Sequence, residues 1–360
     1  MHRLCSALVS VAVASGMLQA GEAGAGIQAD DGERGSGNFG VFWDNDVVAG
    51  QDSNYTNGLR FSWVSGTRFY RDLNGFDRVL AHVVGVEGEN SWWQSMVGFD
   101  GGSKIVYQRG LALSQYIYTP EDEYAPVPKP GERPYAGWLG GGYALHAKSP
   151  SVFNSVELEL GVIGPSARAR EVQQWMHNIQ GIYQFQGWDT QIPDEVTGNL
   201  YFTHRRRLNG LTRAFENQSV IDSHFDVRVA LGTFKANASV GMMTRYGWGI
   251  TDALIETRAS QNAQQVVWDS GKWQSGTWGS YLIAGGRVTA VAHDATLDGP
   301  VFRSYDTGVQ KETWVVEGFA GVGFRYRKLD FGYVHTLRSD TFRTQTENGS
   351  YGTLFVSVTF

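Results

Sequence analysis

The chain of 360 residues is 42% apolar and 13% aromatic with 46 glycines, a composition that excludes a disordered polypeptide. After the first two dozen residues no apolar run approaches the ~18 to 20 residues of a membrane-spanning helix. The formal net charge of −6, with acidic and basic residues interspersed, leaves no basic patch for a nucleic acid.

The N-terminus opens with Met1-His-Arg3, an apolar stretch from Leu4 to Leu18, and small residues at Ala20 and Ala23. This is the pattern of a secretory signal peptide over residues 1–23, followed by a flexible segment over 24–37. Cys5, the sole cysteine, falls inside that leader, so the mature chain is expected to hold no disulfide and no thiolate metal site. From residue 38 onward the chain alternates in short segments. Val156, Leu158, Leu160 and Val162 oppose Glu157 and Glu159; Phe225–Leu231 sets Asp226 and Arg228 against apolar residues; Trp314–Arg327 does so with Glu317, Arg325 and Arg327. Two glutamates facing hydrocarbon would each cost a few kcal/mol, so these faces must line a polar lumen. Further segments near 38–46, 57–66, 105–118, 135–147, 198–213, 237–248, 278–291, 328–337 and 351–360 bring the count to twelve. In the last of them Leu354, Val356, Val358 and Phe360 alternate with Thr353, Ser357 and Thr359. The ending resembles the terminal strand by which Gram-negative outer-membrane barrels are recognised for assembly.

An all-β protein follows, a transmembrane antiparallel β-barrel of about twelve strands over residues 38–360, because hydrocarbon tolerates a sheet only when it closes on itself. An even strand number puts both termini on one side, the periplasm for this class. The turns after strands one, three and five then meet at the extracellular rim. They bring together Asp44-Asn45-Asp46, Tyr55-Thr56-Asn57-Gly58, Arg133-Pro-Tyr-Ala-Gly137 and the long connection 165–197. Within that connection Glu171–Ile179 has neither Gly nor Pro and predicts a short helix, with Gln173 and His177 sharing a face. Such a helix is expected to lie over the barrel mouth as a lid, with His177 as a general base. Segments 67–104 and 249–277 are unusually long for periplasmic connections, and Arg71 to His82 is a candidate helix in the first.

These motifs, with Gly161-Val-Ile-Gly-Pro165, Glu171-Val-Gln173, His177 and Gly187-Trp-Asp-x-Gln191, occur in an order that resembles the outer-membrane lipid A 3-O-deacylases over nearly the whole mature chain. The resemblance implies a twelve-stranded barrel with its active site between the wall and an extracellular-loop helix. It implies hydrolysis of an acyl ester of lipopolysaccharide in the outer leaflet by a monomer, with Ca2+ as cofactor. Position by position, Asn45 and Asp46 match the metal-site pair, Thr56 the site hydroxyl, His177 the base that activates water and Gln173 a positioning glutamine. Lys129 and Arg133 stand as candidates for a substrate phosphate. The chain departs from the family in carrying Glu132 before the Arg-Pro-Tyr motif and Tyr183 where one type has an acidic residue. A non-enzymatic barrel, pore or structural, and an outer-membrane phospholipase stay open as alternatives, although no Gly-x-Ser-x-Gly elbow occurs.

Overall fold

The computed structural model describes residues 37–46, 54–86, 105–122, 124–181, 183–250, 277–346 and 349–360. The expected signal peptide and flexible segment lie outside them. Twelve long strands form one antiparallel sheet: β1 (Asn38–Asn45), β2 (Asn54–Val64), β3 (Val106–Thr119), β4 (Ala136–Lys148), β5 (Val152–Ile163), β6 (Glu195–Arg207), β8 (Ser219–Gly232), β9 (Lys235–Trp248), β10 (Trp278–Asp294), β11 (Trp314–Tyr326), β12 (Leu329–Arg338) and β13 (Tyr351–Thr359). A two-residue strand, β7 (Arg213–Ala214), pairs only with β8. Each long strand pairs with its sequence neighbours, β1 pairs with β13, and β6 pairs with β8 across β7, so the sheet closes. Asn38 stands opposite Thr359, which puts the first and last strand ends at one rim, here the terminal rim. The opposite rim carries the turns from Asn45, Thr119 and Ile163 onward.

The period-two pattern sorts the two faces as the sequence requires. Leu354, Val356 and Val358 on β13 are each more than 40% exposed, whereas Thr353 and Ser357 are buried in the lumen. Leu111, Leu113, Leu160, Val196, Leu231, Val240 and Leu282 continue the outward apolar belt around the wall. The lumen face carries buried ion pairs. Arg60 on β2 donates to Glu157 at 2.6 Å and to Glu159 at 3.4 Å, both on β5. Asp226 on β8 joins Arg228 at 3.2 Å and Arg287 at 3.4 Å, and Arg287 lies 3.7 Å from Glu317. Asp222 binds Arg207 and Arg245. Pairing along and between the strands gives these buried charges the partners that desolvation demands. Arg327 departs from the expectation: it is exposed in the β11–β12 turn with φ 53°, not inward on a strand. The tight connection ends β11 at Tyr326, before the alternation can reach Arg327.

Helix α1 (Gly75–Val84) begins inside the candidate segment Arg71–His82 and ends two residues past it. Helix α2 (Ala169–Gln180) covers the expected 171–179 and stops at Gly181, whose φ of 69° is the left-handed conformation glycine adopts without a Cβ penalty. A one-turn helix, α3 (Ala295–Asp298), follows β10. Among the described residues no helix is long and apolar enough to cross a membrane.

Candidate active site

Position on β4 decides where α2 rests. Trp138 points into the lumen, stacking on Tyr116 at 5.3 Å and donating from Nε1 to Thr197 at 2.8 Å. Gly137 therefore faces outward, and a Cβ built on it would lie 2.4 Å from the Ala169 Cβ in the first turn of α2. On the neighbouring strand the outward Gln115 donates from Nε2 to the Ala167 carbonyl at 2.7 Å. The helix thus lies against the outer wall over β3 and β4. This corrects the expectation of a lid across the mouth: the chain leaves β5 on the outward face, where Gly137 and the apolar Ile117, Tyr135, Phe185 and Trp188 give Ala169 a bed to pack on.

One cross-strand row ties this helix to the rim motifs. Asn45 pairs with Asn57, Asn57 with Ile117, and Ile117 with Gly137. Three strand spacings of about 4.8 Å place Asn45 and the foot of α2 about 14 Å apart on one outer surface. A register shift between Tyr55 and Asn57 makes Thr56 an extra residue of β2. Such a bulge re-aims a side chain. Thr56 Oγ1 meets Thr119 Oγ1 on β3 at 2.6 Å, and the Thr56 carbonyl accepts from Asn45 Nδ2 at 3.1 Å. Asp46 follows, 1% exposed, its backbone N–H directed at the same carbonyl at 3.4 Å. Asp44, first of the acidic trio, is occupied inside the barrel by the Tyr55 hydroxyl at 2.9 Å and the Thr353 hydroxyl at 2.7 Å.

On α2, Gln173 and His177 stand one turn apart and both are buried, as their spacing requires. His177 Nδ1 lies 2.5 Å from the backbone carbonyl of Tyr183. A carbonyl only accepts, so Nδ1 carries the proton, and in the neutral ring Nε2 is the nitrogen with the lone pair. The imidazole also packs on Phe185, centroids 5.8 Å apart, and the Tyr183 ring meets Tyr124 of the β3–β4 connection at 4.3 Å. Gln173 Oε1 accepts from Trp188 Nε1 at 2.8 Å, while its buried Nε2 has no hydrogen-bond partner. An amide donor left open in a dry setting is costly unless something else fills it.

Oxygen atoms are the donors that the Asn45–Asp46–Thr56 corner offers, and that set suits a hard divalent cation. Among the described residues that corner has one carboxylate and no group of three acidic or histidine side chains, so such an ion would complete its shell with water or substrate oxygens. The two basic candidates do not meet. Lys129 is 70% exposed and pairs with Asp122 at 3.1 Å. Arg133 turns into the mouth, donating to Thr296 at 2.8 Å and Thr341 at 3.2 Å, over the Tyr118 ring at 5.0 Å. Burial pushes the Arg133 guanidinium down to about 10, against the favourable field of Asp294. Glu132 ties its own loop, accepting the backbone N–H groups of Glu121, Asp122 and Lys129.

Sequence reasoning missed four contributors: Thr119, Gly137 as a contact surface, Trp188 as the partner of Gln173, and the Tyr183 carbonyl. Gly137 and Trp188 sit inside the motifs already singled out, whereas Thr119 and a backbone carbonyl carry no side-chain signature.

Residues 4–360 match the family model described as outer membrane protein LpxR. Among solved structures, LpxR from Salmonella typhimurium is similar with a TM-score of 0.66 at 16% identity, over 90% of this chain and 100% of that one. The β domain of the Bordetella autotransporter Brka aligns over 91% of this chain and 99% of that one, at 9% identity and a TM-score of 0.41. No curated protein matches the chain. With its closed barrel and a family match that spans almost every residue, the chain belongs to the LpxR family of outer-membrane proteins.

Proposed function

We propose that the chain is a lipid A deacylase that hydrolyses an acyl ester of lipopolysaccharide, of the 3-O-linked type, in the crevice between α2 and the barrel wall. The observation that carries this reading is the bond from His177 Nδ1 to the Tyr183 carbonyl, which fixes the tautomer with a basic Nε2. In the reaction Nε2 takes a proton from water as its oxygen adds to the acyl carbon, and returns it to the sugar oxygen as the ester C–O bond breaks. A base so placed is worth on the order of 10²–10⁴ in rate. The open Nε2–H of Gln173, one turn away, is the donor that would receive the charge building on the carbonyl oxygen. Trp188 holds that amide in orientation through Oε1. Asp46 and Asn45 would hold a calcium ion, which when bound supplies Lewis-acid polarisation of the ester carbonyl. Thr56, locked to Thr119, shapes the same corner, and exposed Lys129 is the candidate contact for a lipid A phosphate.

The position of α2 supports a membrane lipid as substrate. The helix lies on the outer face that carries the apolar belt and shows Trp175 and Ile179 at 61% and 67% exposure. An acyl chain can enter sideways from the leaflet without leaving hydrocarbon. We place this rim on the extracellular side, facing lipopolysaccharide.

The test is mass analysis of purified lipid A incubated with the refolded protein in detergent. The wild type should remove one acyl chain and His177→Ala should remove none, with the barrel equally heat-modifiable on gels. Unchanged lipid A together with fatty acid released from glycerophospholipid would replace this reading by a phospholipase.

A further inference from the structure

Helix α1 lies outside the barrel, on the wall near the terminal rim, remote from the crevice. Its inner side, Asp77, Leu80, Ala81 and Val84, is buried against Tyr107, Leu145, Ala147 and Val156 of β3, β4 and β5. Polar bonds lock it there. Arg109 Nε donates to Asp77 Oδ2 at 2.6 Å, the Tyr143 hydroxyl to Asp77 Oδ1 at 2.5 Å, and Asn154 Nδ2 to the Val84 carbonyl at 2.7 Å. The Asn74 side chain caps the N-terminus by accepting from the Asp77 N–H at 2.8 Å. This is a docked element, not a loose connection.

The rest of its circumference divides into two flanks of opposite chemistry. Phe76, Val79 and Val83, at spacings of three and four, are 52%, 65% and 37% exposed. Arg78 and His82, also exposed, form the other flank. The Phe76 ring stands 5.8 Å from that of Tyr143. Tyr143 shares its cross-strand row with Leu111 and Leu158, which belong to the outward belt at 49% and 38% exposure. The apolar flank therefore continues the lipid-facing surface of the barrel. On the polar side Arg78 donates to the Arg71 carbonyl at 3.1 Å, which holds its guanidinium against the turn that carries Arg71.

We propose that α1 is an interfacial membrane helix. It lies in the plane of the leaflet at the terminal rim, with Phe76 and Val79 among phospholipid acyl chains and Arg71 and Arg78 at the anionic headgroups. A helix with one apolar and one basic flank beside a wall is suited to that boundary and to no uniform medium. Docked by Asp77 and Asn154, it sets how deep the barrel sits. The inference stands independently of the chemistry proposed for α2.

Site-directed spin labelling tests it, because Cys5 is the sole native cysteine. In a Cys5→Ser background, Phe76→Cys, Val79→Cys and Arg78→Cys are labelled with a nitroxide and reconstituted in phosphatidylethanolamine–phosphatidylglycerol vesicles. Labels at 76 and 79 should collide several-fold more with oxygen than with a water-soluble nickel chelate, and the label at 78 should show the reverse. Equal nickel access at all three positions would overturn the proposal. So would shielding of 76 and 79 from both reagents, the outcome if protein, either another segment or a second copy, covers this flank.

Discussion

Replacing Gly137 by alanine should lift α2 from the barrel wall. The new Cβ would lie 2.4 Å from the Ala169 Cβ, with Ala167 Cβ at 3.3 Å and Ala169 Cα at 3.5 Å behind it. Carbon atoms settle at about 3.5 to 4.0 Å, so the first turn must retreat by roughly 1 Å or more. His177 and Gln173 ride on that helix, and a displacement of about 1 Å at a reacting centre costs on the order of 10² in rate. The β4 backbone need not move, so heat-modifiability and melting should stay near wild type while lipid A deacylation falls about a hundredfold. The double variant Gly137→Ala/Ala169→Gly removes the clashing methyl and leaves contacts of 3.3 Å and 3.5 Å, which a shift of tenths of an ångström relieves. It should recover activity to within about tenfold, less the roughly 1 kcal/mol that glycine costs a helix. Full activity in the single variant would refute the position assigned to α2. A double variant as inactive as the single one would show that the loss arises elsewhere.

Trp188→Phe keeps an aromatic ring, though a smaller one, and deletes the donor to Gln173 Oε1; with about 1 kcal/mol of orienting hydrogen bond gone, kcat should fall five- to tenfold with little change in KM. Removal of divalent ions with EGTA should abolish acyl release and added Ca2+ should restore it, and Asp46→Asn should raise the Ca2+ concentration needed for half-maximal activity more than tenfold. Arg60→Met leaves Glu157 and Glu159 facing each other in the lumen without their cation. The loss should be about 3 to 5 kcal/mol, read as a lower heat-modification temperature, whereas a variant as stable as wild type would show those carboxylates to be solvated.

The architecture was legible because each strand states its own two faces. Glu157 and Glu159 cannot face hydrocarbon and Leu354, Val356 and Val358 have no reason to face water, so alternation alone yields twelve strands and closure. The pairing of Gln173 with His177 followed from helical spacing in the same way. These are local rules, and the sequence by itself determined what they govern: strand, face, turn, helix and the residue types gathered at one rim. Which side of the wall α2 would take was not local. It depends on the absence of a side chain at Gly137 and on the apolar bed formed by Ile117, Phe185 and Trp188, just as the turn of Thr56 toward Thr119 depends on an extra residue in β2. Likewise the tautomer of His177 rests on a carbonyl six residues away, and the direction of the Arg133 side chain rests on Thr296 and Thr341, which accept from it across the mouth. Contacts of that kind join residues far apart in the chain, so only the closed tertiary structure could decide them.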